Sequence, residues 1–127
     1  MYPDRYRLAE LTAYVLGLLE RRREGFPEWN AETEAKLAAL GRKQVVVAGY
    51  ETHICVCQTA LDAVAAGYQV HLVRDATSSR TKESAAVGVE KMAAAGVVPA
   101  TAETVLFEWL GRAGTDEFRA LLPVIKR

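Results

Sequence analysis

Residues 45–60 read Val45-Val46-Val47-Ala48-Gly49-Tyr50-Glu51-Thr52-His53-Ile54-Cys55-Val56-Cys57-Gln58-Thr59-Ala60. The run from Gln44 to Ala48 is short, continuous and β-branched, which predicts a strand buried on both faces, the pattern of a parallel sheet. Gly49 opens a turn. A helix is expected from His53 or Ile54 to Ala66, where Gly67 stops it. A buried strand feeding directly into a helix is the repeating unit of α/β folds.

Outward from this segment the alternation continues. Asn30 is a fair N-cap for a helix over 31–40, and Gly41 is its matching stop. Gln69 to Val73 is a second strand-like run. Asp75-Ala76-Thr77-Ser78-Ser79 reads as a polar loop, with Asp75 as a cap for the following turn. Thr81 to Ala95 predicts a helix ended by Gly96, and Val97-Val98 begins a third strand. Residues 102–110 and 115–125 predict two closing helices, separated by Gly111 and Gly114. At the other end, Leu8 to Arg22 carries Leu8, Leu11, Val15, Leu18 and Leu19 at helical spacing, and Gly25-Phe26-Pro27 breaks it.

The expected fold class is therefore α/β, a Rossmann-like parallel sheet with helices on both faces and right-handed crossovers. No linker or repeat divides the chain, so residues 1–127 are expected to form a single domain. Three strands are few for such a sheet, which points to a sheet completed by a segment that this chain lacks.

Composition narrows the function classes. Sixteen Lys plus Arg balance sixteen Asp plus Glu, so nothing favours nucleic acid or an acidic membrane surface. No apolar run is long enough for a membrane span, and the N-terminal residues lack the pattern of a signal peptide. Cys55 and Cys57 are spaced poorly for a disulfide or a zinc site, which favours a reducing, cytoplasmic location. Near-zero net charge is compatible with association, and open sheet edges add pressure towards it.

Cys55 carries the chemistry. It lies six residues beyond Gly49, near the start of a helix and beyond the carboxyl end of a strand, where open α/β sheets bind ligands. A helix N-terminus favours thiolate over thiol, and its free N–H groups can hold a developing oxyanion. A small buried hydrophobe, the role of most free cysteines, is the competing reading.

Gly49-Tyr50-Glu51-Thr52-His53-Ile54-Cys55-Val56 resembles the Gly-x-x-Thr-x-x-Cys-Val signature of the isochorismatase-like hydrolases. The likeness runs from about Phe26 to the C-terminus. It includes Thr59-Ala60-Leu61-Asp62, Gly67-Tyr68, Asp75-Ala76 with Ser78-Ser79-Arg80, Met92 to Gly96, and Glu103 to Glu108. It implies a three-layer sandwich whose first strand, helix and second strand are absent from this chain. It also implies a hydrolase acting on a small amide-like or related substrate, with Cys55 as nucleophile. A cis peptide between Tyr50 and Glu51 is implied, with the Glu51 and Cys55 amides as oxyanion hole and Tyr50, Glu51 and Thr52 at the substrate. The family Lys is matched by Arg23, ahead of Phe26-Pro27-Glu28-Trp29. An Arg keeps the charge but cannot relay a proton, and Arg21 to Arg23 can equally be a solvated basic helix end. The family Asp base has no counterpart. A nicotinamidase-type metal site needs an Asp and two His from the absent region, so no metal is expected. Nothing in the sequence points to a nucleotide or flavin, so no cofactor is expected. The family resemblance also implies a homo-oligomer, dimer or tetramer.

Three readings remain open on the sequence. The chain is a cysteine hydrolase, a catalytically degenerate or truncated member serving as a structural or binding subunit, or a redox-sensitive thiol protein.

Overall fold

The computed structural model describes residues 30–126. The expected helix over 8–22, Arg23 and the Phe26–Trp29 stretch lie outside the described residues. Within them the order is α1 (Ala31–Leu40), β1 (Gln44–Tyr50), a π-helical turn (Thr52–Val56), α2 (Cys57–Ala65), β2 (Gln69–Ser78), α3 (Lys82–Ala94), β3 (Val98–Ala100), α4 (Ala102–Leu110) and α5 (Asp116–Ile125). The strands form one parallel sheet in the order β1-β2-β3. This is the α/β architecture expected from the strand–helix alternation.

Local chemistry sets the helix ends. The Asn30 side chain accepts from the Thr33 amide at 2.9 Å, and Gly41 closes α1 in the left-handed conformation at φ 63°, which costs glycine nothing. Thr81, Thr101 and Thr115 each cap a helix by accepting from the amide three residues on, satisfying a donor that the helix itself leaves orphaned. The ring of Phe107 on α4 meets that of Phe118 on α5 edge-on, with centroids 5.9 Å apart.

The core sits around β2. Val70, His71, Leu72 and Val73 are buried in succession. Because neighbouring strand residues point to opposite sides, burial of consecutive residues means that both faces of β2 are covered. Leu37 of α1, Val45 and Val47 of β1, Ala60 and Ala63 of α2, Met92 of α3 and Val97 complete the same cluster.

One expectation is corrected. Asp75 to Ser78 is strand, not loop. The ladder runs from Gln44↔Gln69 to Val47↔Leu72, then resumes at Gly49↔Thr77 and Tyr50↔Ser78. Between these points β1 advances from Val47 to Gly49 while β2 advances from Leu72 to Thr77, so β2 bulges outward by the surplus. Asp75 sits on this bulge and accepts from the Ala102 amide at 2.8 Å. It thus caps the start of α4 rather than the turn after its own strand.

Leu72 is 1% exposed on the central strand. Leu72→Ala is expected to destabilise the protein by about 2–5 kcal/mol. Urea unfolding followed by circular dichroism measures this, and a loss below about 1 kcal/mol would show that the described core is not the stabilising one.

Candidate active site

The backbone leaves β1 through Gly49, at φ 124°, and a cis peptide joins Tyr50 to Glu51. Residues 52–56 then form a single wide turn. The Glu51 carbonyl accepts from the Ile54 and Val56 amides, both at 3.2 Å. The α-helix proper begins at Cys57, not at His53 or Ile54 as the sequence suggested. Cys55 therefore lies in a widened turn that runs straight into the N-terminus of α2. Such single π-turns are frequent at functional sites because they re-aim side chains that an α-helix would space evenly.

Side chains on the turn are tied to the carboxyl end of β2 and the residues just beyond it. The hydroxyls of Thr52, which is fully buried, and Thr77 are 2.8 Å apart. His53 Nδ1 lies 2.8 Å from Ser79 Oγ, and the His53 amide donates to the same oxygen at 3.4 Å. The Glu51 carboxylate accepts from the Arg80 backbone amide at 3.2 Å, and Arg80 Nε lies 3.0 Å from Glu51 Oε1. His53 Nδ1 is a further 3.6 Å contact of Glu51 Oε2. The Glu51 side chain is thus mostly enclosed and taken up by Arg80, rather than facing solvent.

On its other side the turn meets α3. Gly88 lies so close to His53 that a Cβ there would stand 2.8 Å from the His53 Cα and 3.0 Å from its amide nitrogen. The stretch from Gly88 to Met92 is thus a helix-packing surface, and its glycine permits the approach of two backbones.

The two thiols differ. Cys55 is half-buried, whereas Cys57 is buried in the core. Burial pushes the Cys57 thiol above its ordinary value, and the nearby Lys91 charge opposes this only in part. Tyr50 stands exposed at the carboxyl end of β1. The structure therefore brings Tyr50, Glu51, Thr52 and Cys55 together on one short segment. Sequence reasoning misses the partner set on β2 and beyond, Thr77, Ser79 and Arg80, although Ser78-Ser79-Arg80 lies within the resemblance. No group of three or more His, Cys, Asp or Glu residues suited to a metal ion occurs among the described residues.

A parallel α/β sheet with a helical turn just past a strand's carboxyl end is the layout in which open α/β proteins place their ligand sites. The chain belongs to the isochorismatase family, since the Isochorismatase domain model matches residues 18–104. Isochorismatase domain-containing protein 1 of Salmo salar is 41% identical over 75% of this chain and 34% of its own length. Among solved structures, the MAR1 ribonuclease of Caenorhabditis elegans superposes with a TM-score of 0.72 at 30% identity, covering 77% of this chain and 50% of that one. YcaC of Pseudomonas aeruginosa, solved with hexane-2,5-diol and covalent acrylamide, gives a TM-score of 0.66 at 27% identity, covering 76% and 51%. The chain thus spans about a third to a half of the length of the relatives it matches. Among the described residues no helix is long and apolar enough to cross a membrane.

Two outcomes are expected. Gly88→Ala would gain up to about 1 kcal/mol at an open helix site, but here it should cost about 1–3 kcal/mol through overpacking against His53. Urea unfolding decides the sign, and a net gain would mean that the His53 backbone yields freely. A raised thiol pKa keeps Cys57 protonated to higher pH than an ordinary cysteine. Alkylation with iodoacetamide at about pH 8 should therefore mark Cys55 and spare Cys57, as peptide mass mapping would show. Preferential loss of Cys57 would contradict the burial described.

Proposed function

We propose that the chain carries the nucleophilic half of a cysteine hydrolase site acting on a small amide-like or related substrate. The observation that carries this reading is the half-buried Cys55 on the wide turn that follows β1. The covalent acrylamide in the Pseudomonas aeruginosa relative supports a reactive nucleophile in this family.

In this reading the Cys55 thiolate adds to the substrate carbonyl carbon, and the π-electron pair moves onto oxygen. The Glu51 and Cys55 amides donate to that oxyanion. Collapse expels the nitrogen leaving group, which takes up a proton, and leaves a thioester on Cys55. Water then adds to the thioester, the thiol departs, and a carboxylic acid is released. Tyr50, exposed beside the segment, and Thr52 stand at the substrate, and the Thr52 hydroxyl also ties the turn to Thr77. Arg23 supplies positive charge to the thiolate or to an anionic substrate. The resemblance assigns proton transfer to an Asp with no match in this sequence, and the Glu51 carboxylate is already engaged by Arg80. No cofactor enters this chemistry. Self-association as a dimer or tetramer in the cytoplasm completes the reading, supported by the exposed apolar side chains of Val98, Phe107 and Val124.

Cys55→Ala is expected to lower the hydrolysis of small amides and activated esters by about 10³-fold or more, with the unfolding midpoint little changed. Retention of activity in this variant would sink the nucleophile assignment. A wild-type protein that binds such compounds without turning them over would favour a degenerate binding subunit instead.

A further inference from the structure

The turn that carries Cys55 is held by side-chain bonds on one side and by a glycine contact on the other. Thr52 meets Thr77 at 2.8 Å, His53 meets Ser79 at 2.8 Å, and Glu51 meets Arg80 at 3.0 Å. These are three consecutive residues, Glu51 just before the turn and the first two of the turn itself, reaching three residues at and just after the end of β2. Gly88 closes the opposite side against the His53 backbone. The Glu51 side chain is largely enclosed, while Arg80 lies mostly in solvent, with 70% of its side chain exposed. An ion pair with one partner largely in solvent is screened there and adds only modestly to stability. Yet Arg80 reaches Glu51 through two separate donors, its backbone amide and its Nε. A residue so placed has more leverage over where Glu51 sits than over whether the protein folds.

We propose that Arg80 is a positioning residue for the reaction at Cys55. By gripping the Glu51 carboxylate from beyond the end of β2, it fixes the orientation of the Glu51 peptide, whose N–H donates to the developing oxyanion. The inference rests on the proposed hydrolase reading and adds to it a residue outside the signature segment. It also gives the Glu51 carboxylate a role other than proton transfer.

The physical consequence is selective. Acyl transfer to Cys55 develops a negative oxygen and depends on donors held in place, because small displacements of such groups cost rate steeply. Alkylation of Cys55 by iodoacetamide displaces iodide from a saturated carbon and requires no oxyanion hole. A change that only displaces the Glu51 amide therefore slows the first reaction and leaves the second.

The test compares the two reactions on the full chain. With p-nitrophenyl acetate, the Cys55 thiolate takes the acetyl group and p-nitrophenolate leaves, so one equivalent of yellow product reports acylation. Arg80→Ala should slow Cys55-dependent acylation by about tenfold or more. Iodoacetamide labelling of Cys55 and the thermal midpoint should stay near the wild-type values. Arg80→Lys, which keeps the charge and the backbone donor, should recover part of the acylation rate. Equal slowing of acylation and alkylation in Arg80→Ala would overturn the proposal, because Arg80 would then act on the thiol or on the fold. Unchanged acylation would overturn it as well. A wild type whose ester cleavage is the same after Cys55→Ala would instead defeat the hydrolase reading itself, and the role of Arg80 would fall with it.

Discussion

The parallel pairing of β1 with β2 is the constraint on which the rest of the molecule depends. Parallel strands bring their carboxyl ends to the same edge of the sheet, and their connection must cross over through a helix. The Cys55 turn leaves one of these ends, and Thr77, Ser79 and Arg80 occupy the other. The pairing is secure because β2 is buried on both faces, with Val70 and Leu72 inside α/β packing contributed by α1, α2 and α3. Slippage by one residue would turn these side chains to the wrong faces. Hydrophobic burial along the strands thus sets the geometry of a polar site at their ends.

The bulge on β2 is the second device. By absorbing surplus residues between Leu72 and Thr77, it re-aims the end of the strand, so that Thr77 and Ser78 face Gly49 and Tyr50. The same detour lets Asp75 cap α4. One irregularity therefore serves both a helix start and the site. Packing and the candidate site meet again at Gly88, where the lack of a side chain lets α3 press on the turn that carries Cys55. Packing there limits the freedom of His53, two residues before Cys55, at the cost of a glycine in a helix.

The family relationship gives this geometry its chemical meaning, while the individual residues give it its particular form. Membership rests on a match over residues 18–104, which includes β1, the wide turn, α2, β2 and α3. The neighbouring thiols show how environment divides labour between identical groups. Cys57 faces the core, where burial suppresses ionisation. Cys55, on the turn just before it, is only half-buried. Charge is divided in a similar way: the Glu51 carboxylate, near the thiol in sequence, is neutralised by Arg80.

Much of the fold was legible because its signals are local. Val45 to Val47, the Asn30 cap and the Gly41 and Gly111 stops each depend on a few neighbouring residues. The cis peptide after Tyr50 was legible through the resemblance carried by the residues between Gly49 and Val56. The tertiary structure alone decided what lies across from them. Thr77 and Ser78 look like loop by composition, and they become strand only because Gly49 and Tyr50 offer partners across a bulge. Glu51 reads as a pocket or solvent residue until Arg80, 29 positions away, closes on it. The wide turn at 52–56 replaced the expected regular helix start in the segment that packs against Gly88 of α3. Sequence alone thus determined most of the strands and helices and the cis peptide after Tyr50, since propensity, capping and motif are properties of neighbours along the chain. Register, the bulge and the grip on the turn were left to the folded structure, because each depends on residues far apart in sequence meeting at one edge of the sheet.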